Sequence, residues 1–182
     1  MKTLLYYTFL LIIFYGVFGC TNNSDCKQDI APCVDWPGKV MNLPLSSEFL
    51  LYGKDSVKYN YSESPYKILV FIGASECIGC KLNILNWKKF IHEVDSIIPN
   101  KAHFIFVLEP IYPREVYTIL RSHQFSIPVY IDTSKQFRLV NQIEDEASYV
   151  FLLDHNNQVL YTGDPLSNEE IRESYLRLIQ FQ

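Results

Sequence analysis

The sequence predicts an α/β fold in which helices flank both faces of a mixed β-sheet, giving three layers. Two observations favour this fold. From residue 66 onward, short apolar runs of strand length alternate with stretches of helical periodicity. The chain then closes with two strands joined by a polar turn, followed by a last helix. Strands separated by helices pair in parallel and hairpin strands pair antiparallel, so we expect a parallel core with an antiparallel edge.

The composition is that of a chain that can bury an ordinary core. Of the 182 residues, 48% are apolar and 20% are charged, which excludes wholesale disorder. The formal net charge is −4 and no long basic run occurs. Nucleic acid is therefore not expected as a partner.

The N-terminus predicts the compartment. An apolar block follows Lys2 and ends at Gly19-Cys20, before a polar run. The block is shorter than the roughly 20 residues of a membrane span and fits a secretory signal. A small residue before Cys20 resembles a bacterial lipoprotein processing site, which implies cleavage before Cys20 and a diacylglycerol on its thiol. The alternatives are a retained N-terminal membrane anchor or an ordinary signal that is cut nearby.

The sequence divides into four predicted segments. Residues 1–19 are expected to be the signal peptide, 20–35 a polar tether, 36–65 an N-terminal extension and 66–182 the main domain. The extension contains two strand-like pieces, which we expect to pack on the edge of the domain. These pieces are Lys39–Leu43 and Glu48–Tyr52.

The main domain opens with a continuous apolar run that is typical of a strand buried on both faces. A long helix follows because apolar residues recur at helical spacing until Pro99. Later elements are assigned by the same criteria, and Ser167-Asn168-Glu169-Glu170 indicates a capping box for the last helix. The expected strands are Lys67–Ile72, Ala102–Leu108, Ile127–Ile131, Ser148–Leu153 and Val159–Gly163, and the expected helices before the last are Cys77–Ile98, Pro113–His123 and Ser134–Asn141.

The five cysteines fall into a lipidation candidate and two local pairs. Cys26 and Cys33 lie in the tether, where a disulfide would be a small staple contributing about 2–3 kcal/mol in the chain-entropy model. That pair could alternatively exchange with the second one. The second pair, Cys77 and Cys80, forms a C-x-x-C at the junction between a buried strand and a helix.

This junction suits thiol–disulfide chemistry. The thiolate is the reactive form of cysteine, and the free amides at a helix N-terminus favour it. Cys77 is therefore the expected attacking thiol, and Cys80, one turn later, the thiol that resolves the mixed disulfide. Ile78 and Gly79 carry no charge, and Glu76 opposes a thiolate. We therefore expect a reductase or isomerase rather than a strong oxidant.

Three other interpretations of the C-x-x-C remain open. It could be half of a zinc site, although Cys26 and Cys33 have the wrong spacing for a zinc ribbon and the four histidines are dispersed. It could be a structural disulfide. It could also belong to a fold that has kept its cysteines and lost turnover. No metal site is expected.

The segment Ala74-Ser75-Glu76-Cys77-Ile78-Gly79-Cys80 resembles the active site of the thioredoxin superfamily. Phe151-Leu152-Leu153-Asp154 with its Asn-rich turn resembles the hairpin of the extracytoplasmic TlpA-like and peroxiredoxin-like branch. The resemblance implies a thioredoxin-like fold, thiol–disulfide exchange without a bound cofactor, and a periplasm-facing location. Its implied partners are exported proteins with cysteines and a redox partner that donates electrons.

Two positions depart from the family pattern and are expected to modulate the site. Glu76 stands where the family has Trp, and Ser148 where it has a cis-proline. We expect the peptide bond before Ser148 to be trans, because a non-proline cis bond costs about 2.5–4 kcal/mol. These departures favour the alternative function, a non-catalytic binding or accessory lipoprotein of the cell envelope.

Overall fold

A computed structural model describes residues 36–74, 77–143 and 147–181, which contain seven strands and five helices. The strands are β1 (Phe49–Leu51), β2 (Asp55–Val57), β3 (Tyr66–Ile72), β4 (Ala102–Leu108), β5 (Val129–Ile131), β6 (Tyr149–Leu153) and β7 (Val159–Thr162). The helices are α1 (Ile78–Lys81), α2 (Ile84–Ile97), α3 (Pro113–Ser122), α4 (Gln136–Asn141) and α5 (Glu169–Phe181). None of the helices in this part of the chain has the length and apolar character that a membrane span requires.

The strands form a single mixed sheet in the order β2-β1-β5-β4-β3-β6-β7. Strands β3, β4 and β5 pair in parallel, because a helix joins each to the next. The hairpin β6–β7 pairs antiparallel on one side of this core, and the hairpin β1–β2 pairs antiparallel on the other. The expected parallel core with an antiparallel edge is confirmed, and the second antiparallel edge comes from the N-terminal extension.

One face of the sheet packs against α2, α3 and α5. Alternate side chains of β3, among them Ile68 and Val70, share a buried cluster with Trp87 of α2, Leu120 of α3 and Tyr175 of α5. The continuous apolar runs of β3 and β4 follow from burial on both faces, because the other alternate residues pack on the opposite side.

The opposite face is covered by α4 and by the N-terminal extension. Phe71 of β3 stacks on Phe137 of α4 with ring centroids 5.6 Å apart. Trp36 of the extension meets Phe151 of β6 edge to face at 5.0 Å. The extension therefore serves as part of the third layer and is not a free tether in residues 36–65.

A buried asparagine fastens the extension to α4. Asn141 is 1% exposed, and its side-chain oxygen accepts a hydrogen bond from the Asn42 amide at 2.7 Å. Its side-chain amide donates to the carbonyls of Asn42 at 3.0 Å and Phe137 at 2.9 Å. Lys39 Nζ adds a 2.6 Å hydrogen bond to the Asn141 carbonyl. These bonds hold the extension against α4 over this face of the sheet.

From residue 66 onward the expected elements are present with ends that shift by one or two residues, except for the helix after the C-x-x-C. The prediction of one helix from Cys77 to Ile98 is wrong. Asn83 adopts left-handed backbone angles (φ 34°, ψ 49°) and separates α1 from α2. The break lets Ile78 and Leu82 face the core on one side of it, and Ile84 face the core on the other.

Three smaller expectations also differ from the structure. The piece Lys39–Leu43 makes only an isolated bridge, between Val40 and Gln158, and is not a strand. Strand β2 was not expected, because it is short and polar. The cap of α5 is Asn168, whose side-chain oxygen accepts from the Glu170 amide at 2.7 Å, while the Ser167 hydroxyl donates to the Asp164 carbonyl. The predicted capping box of Ser167 is therefore not formed.

Candidate active site

The C-x-x-C lies where β3 ends and α1 begins. Cys77 is the N-cap residue of α1, with extended backbone angles (φ −67°, ψ 111°), and its carbonyl accepts the amides of Cys80 at 3.1 Å and Lys81 at 2.9 Å. This turn places Cys80 on the same side as Cys77. Ile78 points inward and is 9% exposed, so it anchors the turn to the core.

The two sulfurs are exposed and close together. Cys77 and Cys80 are free thiols, and the Cys80 thiol donates to Cys77 Sγ across 2.7 Å. If Cys77 loses its proton, Cys80 can keep its own proton and donate a hydrogen bond to the Cys77 thiolate. The arrangement is therefore asymmetric between the two sulfurs.

Local hydrogen bonds give the two thiols opposite shifts. The thiol of Cys80 lowers the pKa of Cys77 most, followed by the backbone amide of Cys80, and the Gly79 amide lowers it further. Slight desolvation and the carboxylate of Glu115 act in the opposite direction. The pKa of Cys80 is raised, first by its hydrogen bond to Cys77 and then by the charge that Cys77 acquires. Cys77 is therefore the sulfur that ionises first.

An apolar groove opens beside Cys77, between α1 and the start of α3. We call it the Glu115 groove; its volume is about 350 Å³. The side chains of Ile111 and Tyr112 on its rim are each 65% exposed. The residues that line it are Cys77, Ile78, Gly79, Pro110, Ile111, Tyr112, Glu115, Val116 and Ile119.

A second groove of about 230 Å³ is lined by Lys81 of α1 and by residues around the start of β6, and we call it the Ser148 groove. Lys81, the half-buried Ser148 and Asp164 contribute its polar lining. No peptide bond between described residues is cis, so the expected trans bond before Ser148 is confirmed. Ser148 thus shares a groove with Lys81, the residue that follows Cys80.

The remaining site candidates lie outside the described residues. These are Cys20, the pair Cys26 and Cys33, and Glu76. Within the described ranges no group of three or more His, Cys, Asp or Glu side chains is placed to hold a metal ion. Of the predicted site residues, the structure brings together Cys77 and Cys80, whereas Ser148 lines the separate Ser148 groove.

Sequence reasoning missed the Glu115 groove. Its rim comes from Ile111 and Tyr112, an apolar pair in the loop between β4 and α3. One signal was present, because this pair stands between Pro110 and Pro113 and so belongs to neither a strand nor a helix interior. Exposed apolar pairs in a loop favour a binding surface.

No protein-family model and no curated protein matches the chain. Several solved structures are similar to it. A thioredoxin domain of a thiol-disulfide oxidoreductase from Bacteroides vulgatus is 11% identical with a TM-score of 0.58, covering 79% of this chain and 97% of its own. Peroxiredoxin Q from Xanthomonas campestris is 15% identical with a TM-score of 0.54, covering 78% and 96%.

A candidate thiol:disulfide interchange protein from Chlorobium tepidum is also similar, at 17% identity and a TM-score of 0.52, covering 75% of this chain and 99% of its own. At this level of identity the similarity shows the fold. The chain has a thioredoxin-like fold, as the sequence predicted, and its neighbours of that fold include thiol-disulfide oxidoreductases and a peroxiredoxin.

Proposed function

We propose that the protein is a membrane-anchored thiol–disulfide oxidoreductase that uses Cys77 and Cys80 as its redox pair. The observation that supports this most directly is the pair of exposed sulfurs 2.7 Å apart, whose pKa values are shifted in opposite directions. Thiol–disulfide exchange requires this arrangement, in which an attacking thiol with a lowered pKa lies beside a second thiol that keeps its proton. The thioredoxin-like fold is consistent with this activity.

The exchange balances as follows. The Cys77 thiolate attacks one sulfur of a substrate disulfide, a bond forms between them, and the other substrate sulfur leaves as a thiolate that takes up a proton. Cys80 then loses its proton and attacks Cys77 Sγ, which closes the Cys77–Cys80 disulfide and releases the second substrate thiol. Two electrons pass from the protein to the substrate. A dithiol electron donor restores the reduced pair.

The direction proposed is reduction or isomerisation of disulfides in exported proteins. Ile78 and Gly79 contribute no positive charge to Cys77, and the Glu115 carboxylate raises the pKa of Cys77. A strong oxidant needs a highly stabilised thiolate, and these groups do not provide one. Measurement of the equilibrium with glutathione would test the direction, because an oxidising potential near that of the strongest known oxidants would contradict it.

Insulin reduction by the full chain with dithiothreitol as donor tests the activity. We expect turnover by the wild type and its loss in Cys77→Ser and Cys80→Ser. The matched control is the double variant Cys26→Ser/Cys33→Ser, which removes two cysteines and leaves the proposed redox pair. Turnover that survives Cys77→Ser, or that requires Cys26 and Cys33, would contradict the assignment.

The anchoring part of the proposal concerns Cys20 and the extracytoplasmic compartment. If Cys20 carries a diacylglycerol, the wild-type chain is expected in the membrane fraction and is labelled by a radioactive fatty acid. The variant Cys20→Ser is expected to lose the label. A label that persists in Cys20→Ser would show that this cysteine is not the lipidation site.

The second candidate is a binding or accessory protein without turnover. The exposed apolar rim formed by Ile111 and Tyr112 favours it, because such a surface can bind a partner whether or not exchange follows. The two functions differ in one measurement. Complete absence of insulin reduction, with Cys77 still reactive towards a small disulfide, would support the accessory function.

A further inference from the structure

The Glu115 groove is apolar except for a sulfur at one side and a carboxylate. Cys77 and Glu115 both line it, and the lining side chains of Ile111, Tyr112 and Ile119 are apolar or aromatic. The carboxylate is close enough to the sulfur to raise the pKa of Cys77. A chain that reaches Cys77 through this groove therefore passes both apolar walls and a negative charge.

The floor of the groove is kept open by Gly79. A Cβ atom added there would lie 3.4 Å from Ile119 Cδ1, so any larger side chain would extend into the space between α1 and α3. The open floor and the rim of Ile111 and Tyr112 can accommodate an apolar side chain, which loses contact with water there. The volume of about 350 Å³ is sufficient for such a side chain and adjacent backbone.

The Glu115 side chain is exposed, and no described cation forms an ion pair with it. It lies in the first turn of α3, where a carboxylate interacts favourably with the helix dipole and keeps its outward oxygens available. A Lys or Arg on a bound chain would complement it, and an Asp or Glu would be repelled. The groove therefore favours a bound segment that is apolar and positively charged.

We infer that the Glu115 groove binds the segment around the reactive cysteine of the substrate protein, and that it selects segments in which that cysteine is accompanied by an apolar residue and by Lys or Arg. The inference rests on the proposed function and names the substrate class of the same site. Glu115 is a specificity-determining residue in this scheme, and the apolar rim provides the main binding surface.

The test uses synthetic peptides whose single cysteine is joined in a mixed disulfide to 5-thio-2-nitrobenzoate. The full chain with Cys80→Ser is used, so that the reaction stops after Cys77 attacks. Cys77 forms a disulfide with the peptide sulfur, and the coloured nitrothiobenzoate thiolate leaves. Three peptides are compared, with Leu and Lys, Leu and Glu, or Gly and Lys beside the cysteine, each in both sequence orders.

We expect the Leu/Lys peptide to react about 2–5-fold faster than the Leu/Glu peptide, the range of an exposed ion pair. We expect Gly in place of Leu to slow the reaction by about 3–10-fold, since a partly buried Leu contributes part of its full transfer free energy. Glu115→Gln should bring the Lys/Glu ratio close to one, and Glu115→Lys should invert it. The ratio is used because a change in the Cys77 thiolate fraction affects both peptides equally.

Glu63→Gln is the matched control. Glu63 lies in a polar cleft near Ser64 and His103, by the start of β3 and β4, whereas Cys77 follows the end of β3. The Lys/Glu ratio should not change in Glu63→Gln. The preference in the Glu115-containing protein should shrink as salt is added, because exposed charges are screened.

A Lys/Glu ratio that is unchanged in both Glu115→Gln and Glu115→Lys would overturn the inference, as would equal rates for the Leu and Gly peptides. The proposed function fails in a different measurement, the reduction of insulin by the wild-type chain. If insulin is reduced and the peptide preferences are absent, only the inference about the groove is refuted.

Discussion

Removing the Asn141 side chain should loosen the N-terminal extension by an amount that follows from its hydrogen bonds. Asn141→Ala breaks two bonds to the backbone of Asn42 and one to the Phe137 carbonyl. At about 0.5–1.5 kcal/mol each, and with Ala favoured in a helix, we expect a loss of about 2–3 kcal/mol in the free energy of unfolding. For a domain of this size that corresponds to roughly 4–12 °C in the melting temperature.

The chain offers a direct assay, because it has two tryptophans. Trp36 belongs to the extension and packs on Phe151, whereas Trp87 is in the core on the other face. In a Trp87→Phe background the fluorescence of Trp36 reports whether the extension is bound. Urea unfolding of the full chain, followed by this signal and by far-ultraviolet circular dichroism, gives the free energy for the domain and for the extension.

The control is Asn86→Ala on α2, whose side chain has no hydrogen-bond partner among the described residues. It should change the free energy by no more than about 0.5 kcal/mol. If Asn141→Ala behaves like Asn86→Ala, the extension is held by its apolar contacts and not by Asn141, and the prediction is wrong. A Trp36 signal that is lost without urea would instead show that Asn141 contributes more than its bonds suggest.

Three further predictions concern the helix break, the core and the thiols. Asn83→Gly should stabilise the protein by about 0.5–1 kcal/mol because glycine adopts a positive φ readily, whereas Asn83→Val should destabilise it by about 1–2 kcal/mol. The midpoints of urea unfolding measure both changes. A destabilised glycine variant would contradict the left-handed backbone angles of Asn83. Trp87→Ala should cost about 3–5 kcal/mol, since Trp87 is 2% exposed, and a loss below about 1 kcal/mol in the same assay would argue against its burial. Because the pKa of Cys77 is lowered, its alkylation by iodoacetamide should begin at a lower pH than that of an ordinary thiol, and Cys80→Ala should move the profile to higher pH by removing the largest stabilising bond. An identical pH profile in Cys80→Ala would refute that cause, and Glu115→Gln should move the profile the opposite way.

The sequence was sufficient for elements whose residues are buried in a regular pattern. Strand β3 is a continuous apolar run because both of its faces are covered, and the same holds for β4. The C-x-x-C could be placed at the strand-to-helix junction because the helical periodicity begins directly after it. The thioredoxin-like fold was predicted from these elements together with the resemblance at the motif.

The break at Asn83 could not be read in the same way. The apolar residues on either side of Asn83 have the spacing of one continuous helix. A single non-glycine residue with positive φ does not change that spacing, so the hydrophobic periodicity does not reveal the break. Strand β2 was missed because its residues are polar, and its pairing depends on a turn in which Tyr52 (φ 52°) and Gly53 (φ 69°) both have positive φ.

The Glu115 groove depends on tertiary structure. Cys77 and Glu115 are far apart in the sequence, and they become neighbours because α3 crosses to the same face of the sheet as α1. No local pattern specifies that approach. The apolar pair Ile111-Tyr112 was a hint of a surface, but its relation to the thiol follows only from the packing.

The long reach of the extension has a consequence for the order of events during synthesis. Lys39 and Asn42 bind Asn141, and Gly38 binds Gln158 and Val159, about 100–120 positions later in the chain. A ribosome adds about 5–20 residues per second, so this segment waits roughly 5–25 s before its partners exist. During that interval Trp36 lacks Tyr149 and Phe151, the two rings on which it packs. The last layer of this protein to be completed is therefore built from the earliest of its described residues, and its assembly cannot precede that of the hairpin β6–β7.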